Sequence, residues 1–177
     1  GFSYTVDADL DMRFDSSQEI KASDIINHLP VMDLADVIYQ YGEERRSRLI
    51  ARNIEKMRPL RTVFNLIEAI RKSTPPSHRD RSMARVFQAL RIKVNGELDK
   101  LESFLNSFID RLSVGGRIAI ISFHSLEDRI VKHRFKDLAK SGVLSILTKK
   151  PILASAEEQK ENRRSRSAKL RIAERIV

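Results

Sequence analysis

The stretch GGRIAIISFHSLEDR, residues 115–129, decides how the rest of the chain is read. Gly115 and Gly116 make a tight turn, and Arg117, Ile118, Ala119, Ile120, Ile121, Ser122 and Phe123 follow as an apolar run without polar alternation. A strand reads that way when helices cover both of its faces, so the pattern predicts a central parallel strand. Ser125 and Asp128 then stand three apart ahead of Ile130 and Val131. This spacing predicts a serine N-cap with a carboxylate near the positive helix end, and a helix that starts at Leu126. Ser122, Phe123, His124 and Ser125 thus fall at the carboxyl end of a strand in an open α/β sheet, the place where such sheets bind ligands. The other reading of His124 is structural, a residue that only caps the strand.

Upstream of the glycines, Leu98, Leu101, Leu105, Phe108, Ile109 and Leu112 recur at three- and four-residue steps and predict an amphipathic helix after Asn95-Gly96. Downstream, Ile130, Val131, Phe135 and Leu138 carry the next helix to Ser141-Gly142, and residues 143–148 are a short strand candidate. Residues 149–166 are polar, a loop or partial helix. Ala168, Leu170, Ile172 and Ile176 alternate with Lys169, Arg171 and Arg175, as in a half-buried last strand.

The first part of the chain is helical by the same criteria. Residues 1–22 are acidic and lack a helical period, so an extended loop with Asp7, Asp9, Asp11 and Asp15 exposed is expected; the glycine and final glutamate of an EF-hand are missing. Ser23 caps a short helix stopped by Pro30, and Leu34, Val37, Ile38 and Tyr41 mark a second, with Gly42 suited to its C′ position. Glu43-Glu44 open a third, in which Arg45, Arg46, Arg48 and Arg52 form either a solvated face, with pairs such as Glu44 to Arg48, or a binding face. Thr62 caps a fourth, which ends at the breaker Ser73-Thr74-Pro75-Pro76-Ser77.

The basic surplus is concentrated in residues 71–93, where Asp80 is the one acid among seven lysines and arginines. On a helix from Ser82, Met83, Val86, Phe87, Leu90 and Val94 share one face, while Arg81, Arg85 and Arg91 gather opposite and are suited to phosphates. The whole chain of 177 residues carries 33 Lys+Arg against 24 Asp+Glu, a net charge of +9 that favours a polyanionic partner such as nucleic acid. With 41% hydrophobic residues and no cysteine, the composition describes a soluble globular protein of a reducing interior, without disulfides or thiolate metal sites. His28, His78, His124 and His133 show no metal spacing, and no metal site is expected. Neither a membrane span nor a leader is apparent in residues 1–177.

Several segments together resemble the RsmH (MraW) family of S-adenosylmethionine-dependent methyltransferases, which act on cytosine N4 in small-subunit (16S) ribosomal RNA. The matching blocks are Gly1-Phe2-Ser3, Leu10-Asp11-Met12-Arg13, Tyr41-Gly42-Glu43-Glu44-Arg45, Phe87-Gln88-Ala89-Leu90-Arg91-Ile92, the run from Ile121 to Lys132 and the run from Arg166 to Arg175. Ala8-Asp9 replace the family's usual Gly-Pro before Leu10.

The resemblance implies an α/β fold: part of a Rossmann-like class I methyltransferase sheet, preceded by an all-helical insertion domain. It implies a loop bordering the active site over residues 1–22, an RNA-recognising insertion over 23–80, and the carboxyl-terminal part of the methyltransferase domain over 81–177. The family's Gly-rich cofactor turn has no counterpart among the six glycines, so no cofactor-binding residue is identifiable and the chain resembles the family's carboxyl-terminal portion. Alone it is expected to be silent.

The site implied for the parent enzyme borders Ser122, Phe123, His124 and Ser125. Phe123 offers a face for the base, His124 or Ser125 a bond to its edge, and Asp11 an acceptor for the amine hydrogens. RNA contacts are expected from Arg45, Arg46, Arg79, Arg81, Arg85 and Arg91. The partner is 16S ribosomal RNA or the small ribosomal subunit, and the location bacterial cytoplasm ahead of an organellar matrix. The rival reading is a non-catalytic rRNA-binding or ribosome-assembly module.

Overall fold

A computed structural model describes residues 2–177; Gly1, the first residue of the Gly1-Phe2-Ser3 block, lies outside them. Eight helices and four strands are found among the described residues: α1 (Ala22–His28), α2 (Val31–Gly42), α3 (Ser47–Met57), α4 (Val63–Ser73), α5 (Arg79–Asn95), α6 (Glu97–Ser107), β1 (Arg117–Ser122), α7 (Ser125–Lys140), β2 (Leu144–Ile146), β3 (Ile152–Leu153), α8 (Ala156–Glu161) and β4 (Lys169–Arg175). They divide into two compact units, Gly1–Glu97 and Leu98–Val177. No helix among the described residues is long and apolar enough to cross a membrane.

The first unit is a helical body around α5. Its helices bury the positions that the helical period selects: Leu34 and Ile38 of α2, Ile50 and Ile54 of α3, Leu66 and Ile70 of α4, and Val86 and Leu90 of α5 are all fully buried. Each such side chain contributes about 1.5–3 kcal/mol relative to an exposed one, which outweighs any local capping preference. Thr62 takes the N-cap position of α4, as expected, with its amide donating to Asn65 Oδ1 at 3.2 Å.

Several helix ends differ from the expected ones: Lys21, not Ser23, is the N-cap of α1, α5 starts at Arg79 and not at Ser82, and two further differences have a packing cause. Gly42 is the last residue of α2 and Glu43, at φ 50°, occupies the left-handed position beyond it. Gly42 is needed instead for close approach: a Cβ there would meet the Arg85 carbonyl oxygen of α5 at 2.5 Å and the Ala89 Cβ at 3.3 Å. Gly42→Ala is therefore expected to force α2 and α5 apart and cost about 1–3 kcal/mol, or roughly 3–10 °C in melting temperature. Calorimetric scans of the two proteins decide it, and superimposable melts would show that the helix pair absorbs a methyl group freely. The second difference is α3, which starts at Ser47 and not at Glu43, because Glu44 turns inward.

In the second unit β4 lies at the centre. It pairs antiparallel with β1 along one side, from Arg117 opposite Glu174 to Ser122 opposite Lys169, and with β2 and β3 in tandem along the other. The expected central parallel strand is thus corrected: β1 is antiparallel to its neighbour and has one strand partner among the described residues. An apolar run reports which faces of a strand are greasy and carries no information on strand direction or on which edges are paired. Ile118 and Ile120 pack with Val131, Phe135 and Leu144, whereas Ile121 is 57% exposed. The short strand forms over Leu144–Ile146 alone, and the last strand forms over Lys169–Arg175 but not with the expected alternation, since Arg171 is buried by its pairing with Asp128 and Ile176 is exposed; residues 149–167 contain β3, α8 and a 3-10 turn at Arg163–Ser167. The observed class is mixed α/β, with a small antiparallel sheet and many helices.

Candidate functional site

The strand-to-helix corner is built one residue earlier than its sequence suggests. Extended backbone persists through His124 (φ −139°, ψ 168°), so His124 is the N-cap of α7 and Glu127, not Asp128, is the third helical residue. The Glu127 carboxylate accepts from the amides of Phe123 at 2.8 Å and His124 at 3.2 Å. In return His124 Nδ1 accepts from the Glu127 amide at 3.3 Å, and Nε2 lies 3.4 Å from Glu127 Oε1. This is a capping box with imidazole in the place of a hydroxyl. It satisfies the amides of Phe123 and His124 within the chain itself.

Around that frame the other corner residues differ in what they offer. Phe123 is 54% exposed and presents an apolar ring; Ser122 is buried, and its hydroxyl has no partner among the described residues. Ser125 is half-buried at the first turn of α7. Asp128, freed from the cap, lies against β4, where Arg171 donates to it through Nε at 2.6 Å and Nη2 at 3.2 Å. The guanidinium holds the Asp128 carboxyl below the usual carboxylate range despite partial burial, with Lys169 and Lys132 adding smaller attractions.

Asp11 belongs to the first unit, in a loop anchored at both flanks. Leu10 and Met12 are buried, the Ala22 amide donates to Asp11 O, and Asn95 Nδ2 donates to Met12 O at 2.8 Å while its Oδ1 accepts from the Phe14 amide at 2.8 Å. Arg13 donates to the Asp11 carboxylate through Nε at 2.7 Å and Nη2 at 2.9 Å. That pairing lowers the Asp11 pKa to about 2, so the group is an ionised acceptor at any physiological pH. Asp7, Asp9 and Asp15 are exposed as expected, and Asp11 is half-buried.

The arginines sort into two sets. Arg45, Arg46, Arg81 and Arg85 line one cavity of about 490 Å³ together with Glu44, His78 and Ser82. Arg91 does not join them: Glu97 accepts from its Nε at 2.8 Å and from its Nη2 at 2.9 Å, so it is neutralised within the first unit. Arg79 lies outside the lining and donates to the Thr74 carbonyl at 3.3 Å.

Sequence reasoning missed the role of Glu44, a buried carboxylate in the cavity wall. Its Oε1 accepts from the Arg46 amide at 2.9 Å, its Oε2 accepts from Ser82 Oγ at 2.9 Å, and Arg85 Nη1 stands 3.7 Å away. The expected Glu44 to Arg48 pair is replaced by these bonds. The signal was present in the helix-ending glycine next to a carboxylate: chain reversal at Gly42 turns the next side chains towards α5.

The glycines serve the chain's own turns. Gly115 has φ +80°, and a Cβ on Gly116 would meet Ser113 O at 2.7 Å. None makes a G-x-G turn, so the described residues offer no cradle of that kind for a dinucleotide-like cofactor.

The chain is 54% identical to the ribosomal RNA small subunit methyltransferase H of Acaryochloris marina over 180 residues, 99% of this chain and 59% of the relative. It is 54% identical to the protein of the same name from Nostoc punctiforme, over 100% of this chain and 59% of the relative, and 52% identical to that of Kosmotoga olearia, over 99% and 60%. The chain therefore spans about three fifths of the length of the curated relatives it matches. A family model described as the MraW methylase family matches residues 1–176, and the chain belongs to that family.

Proposed function

We propose that the protein to which this chain contributes is an S-adenosylmethionine-dependent methyltransferase that modifies N4 of a cytosine in 16S ribosomal RNA, working on the small ribosomal subunit or its RNA in the bacterial cytoplasm. The reading is supported most directly by four guanidiniums around one cavity, in a chain whose relatives are named ribosomal RNA small subunit methyltransferases. In this reading residues 23–80 act as an RNA-recognising helical insertion, residues 81–177 as the carboxyl-terminal part of a Rossmann-like methyltransferase domain, and residues 1–22 as a loop bordering its active site.

Membership of a methyltransferase family implies S-adenosylmethionine, which supplies the methyl group when bound. The described residues do not form its Gly-rich cradle. What this chain contributes is positioning. Exocyclic amines need alignment and an acceptor for their hydrogens more than they need a nucleophile. The exposed Phe123 ring is suited to stack on a base, the His124–Glu127 cap fixes that ring's backbone, and the ionised Asp11 carboxylate is suited to accept amine hydrogens. The missing cradle is the one observation that favours the rival, an RNA-binding module without activity, for residues 1–177 taken alone.

The experiment incubates the chain, and a version extended to the length of its relatives, with methyl-labelled S-adenosylmethionine and small-subunit rRNA, and identifies labelled nucleosides by mass spectrometry. Label is expected on cytidine N4 with the extended protein. Label on another atom, or none, would sink the assignment. In the extended protein Phe123→Leu should raise the KM for RNA several-fold with little change in melting. His124→Ala should cost ~1 kcal/mol of stability, as for a lost N-cap, while lowering turnover per folded molecule about tenfold or more through a loosened corner.

A further inference from the structure

We propose that the second unit carries a nucleotide-binding cleft of its own, which holds a base of an RNA strand on an apolar floor and the adjoining phosphates on a rim of lysines. The cleft lies between α7 and the β2 strand with its following loop, encloses about 310 Å³, and shares no residue with the arginine-lined cavity. It goes beyond the methyltransferase reading, which assigns nothing to this face.

The rim is cationic. Lys132 and Lys136 stand one turn apart on α7, and Lys149 approaches from the β2–β3 loop; all three are exposed and none is in an ion pair among the described residues. Arg171 also borders the cleft, but its charge is matched by Asp128, the same acid whose field reaches Lys132. The free positive charge is therefore that of three ammonium groups, with no lining carboxylate to oppose it.

The floor is apolar. Phe135, at 2% exposure, and the half-buried Ile146 form it. On the wall, Thr148 Oγ1 accepts from the Ile172 amide at 2.9 Å and stands 3.5 Å from the Ile172 carbonyl, a separation long enough for the hydroxyl to turn towards a base edge. A bare phosphate has no use for that floor, and a neutral apolar ligand has none for the rim. A nucleotide satisfies both, since base contact with apolar side chains and phosphate contact with cations are the two components of single-strand binding.

The strand, and not a free mononucleotide, is favoured by the segment that leaves the cleft. Residues 149–166 hold Lys149, Lys150, Lys160, Arg163, Arg164 and Arg166 against Glu157, Glu158 and Glu161, while Lys169 beyond them is paired with Asp128 at 3.8 Å. A chain of phosphates gains from that surplus, whereas one phosphate does not.

The test titrates a fluorescent single-stranded oligoribonucleotide of small-subunit rRNA sequence, and separately cytidine monophosphate, into the protein and into its Lys132→Gln/Lys136→Gln/Lys149→Gln variant. Affinity for the oligonucleotide should fall roughly tenfold, and the slope of log K against log salt should shrink by about 2, at 0.7 per phosphate on a single strand. Amide NMR signals of Thr148 and Lys149 should shift on adding the oligonucleotide to the unaltered protein and stay in place in the variant. An unchanged slope with unmoved signals overturns the cleft. Cytidine monophosphate binding as tightly as the oligonucleotide overturns the strand as its occupant. Variants at Arg45, Arg46 and Arg81 keep the two ideas apart: RNA lost with those variants alone retains the methyltransferase reading and removes this one.

Discussion

Replacing Arg45, Arg46 and Arg81 by glutamine is expected to weaken binding of single-stranded small-subunit rRNA about 100-fold at physiological salt, and to flatten the salt dependence by a slope of about 2. The three line the same cavity and are exposed. Arg85 is left in place on purpose. It stands 3.7 Å from the buried Glu44 carboxylate, and removing it would leave that charge with one fewer compensating partner, which mixes a folding defect into a binding measurement. Glutamine at the other three keeps the stems that cover apolar surface and removes only charge. The internal control is Arg91→Gln, because Arg91 is already satisfied by Glu97. Filter binding across a salt series separates the outcomes. Equal losses from Arg91→Gln and from the triple variant, or no loss from either, would return the cavity arginines to solvated surface.

The same arginines show how far sequence reasoning reaches. Periodicity placed Met83, Val86, Phe87, Leu90 and Val94 on a buried face, and all five are buried. A helical period is a property of neighbouring residues, so it survives being read without the fold. Which cation is neutralised depends on partners that periodicity does not report. Glu97 lies six positions from Arg91, across the reversal at Gly96, and Glu44 reaches Ser82 from another helix-to-helix turn. Both carboxylates were visible in the sequence; the turns that carry them to their partners were not.

At the corner the error is smaller and has a local cause. Strand and helix are both legible in residues 115–129, and the helix starts one residue earlier than the Ser125 cap implies. A serine hydroxyl is the commoner cap acceptor, so the sequence favours Ser125 over His124. The backbone instead stays extended through His124, whose ring nitrogen serves equally well. The sheet was the larger miss. β4 has polar residues at alternate positions and reads as a half-buried last strand, and that alternation does not tell that it has neighbours on both sides. Its polar alternation includes Arg171, 7% exposed, a charge that a central strand tolerates only when something pairs with it.

That pairing leads to the largest stability effect expected in the chain. Arg171 and Asp128 join the middle of the sheet to the first turn of α7 through two hydrogen bonds, with side-chain exposures of 8% and 13%. Asp128→Leu strands the Arg171 guanidinium and should cost about 3–5 kcal/mol, because an unpaired buried charge keeps its desolvation penalty and loses its compensation; Arg171→Met should cost less, since Lys169, 3.8 Å from Asp128 Oδ2, still faces the carboxylate. The double variant Arg171→Met/Asp128→Leu removes both charges and should recover most of the loss. Acid shows the sign. The folded pKa of Asp128 is depressed, so the pair's contribution is complete above the ordinary aspartate value and is lost as pH falls through the depressed one. The gap between the parent and Arg171→Met should therefore be widest near neutrality and narrow in acid. Urea melts at neutral and acid pH measure both effects. Single variants that melt with the parent at neutral pH, or a double variant no better than the worse single one, would mean that the sheet and α7 are held together by apolar packing and that the ion pair is incidental.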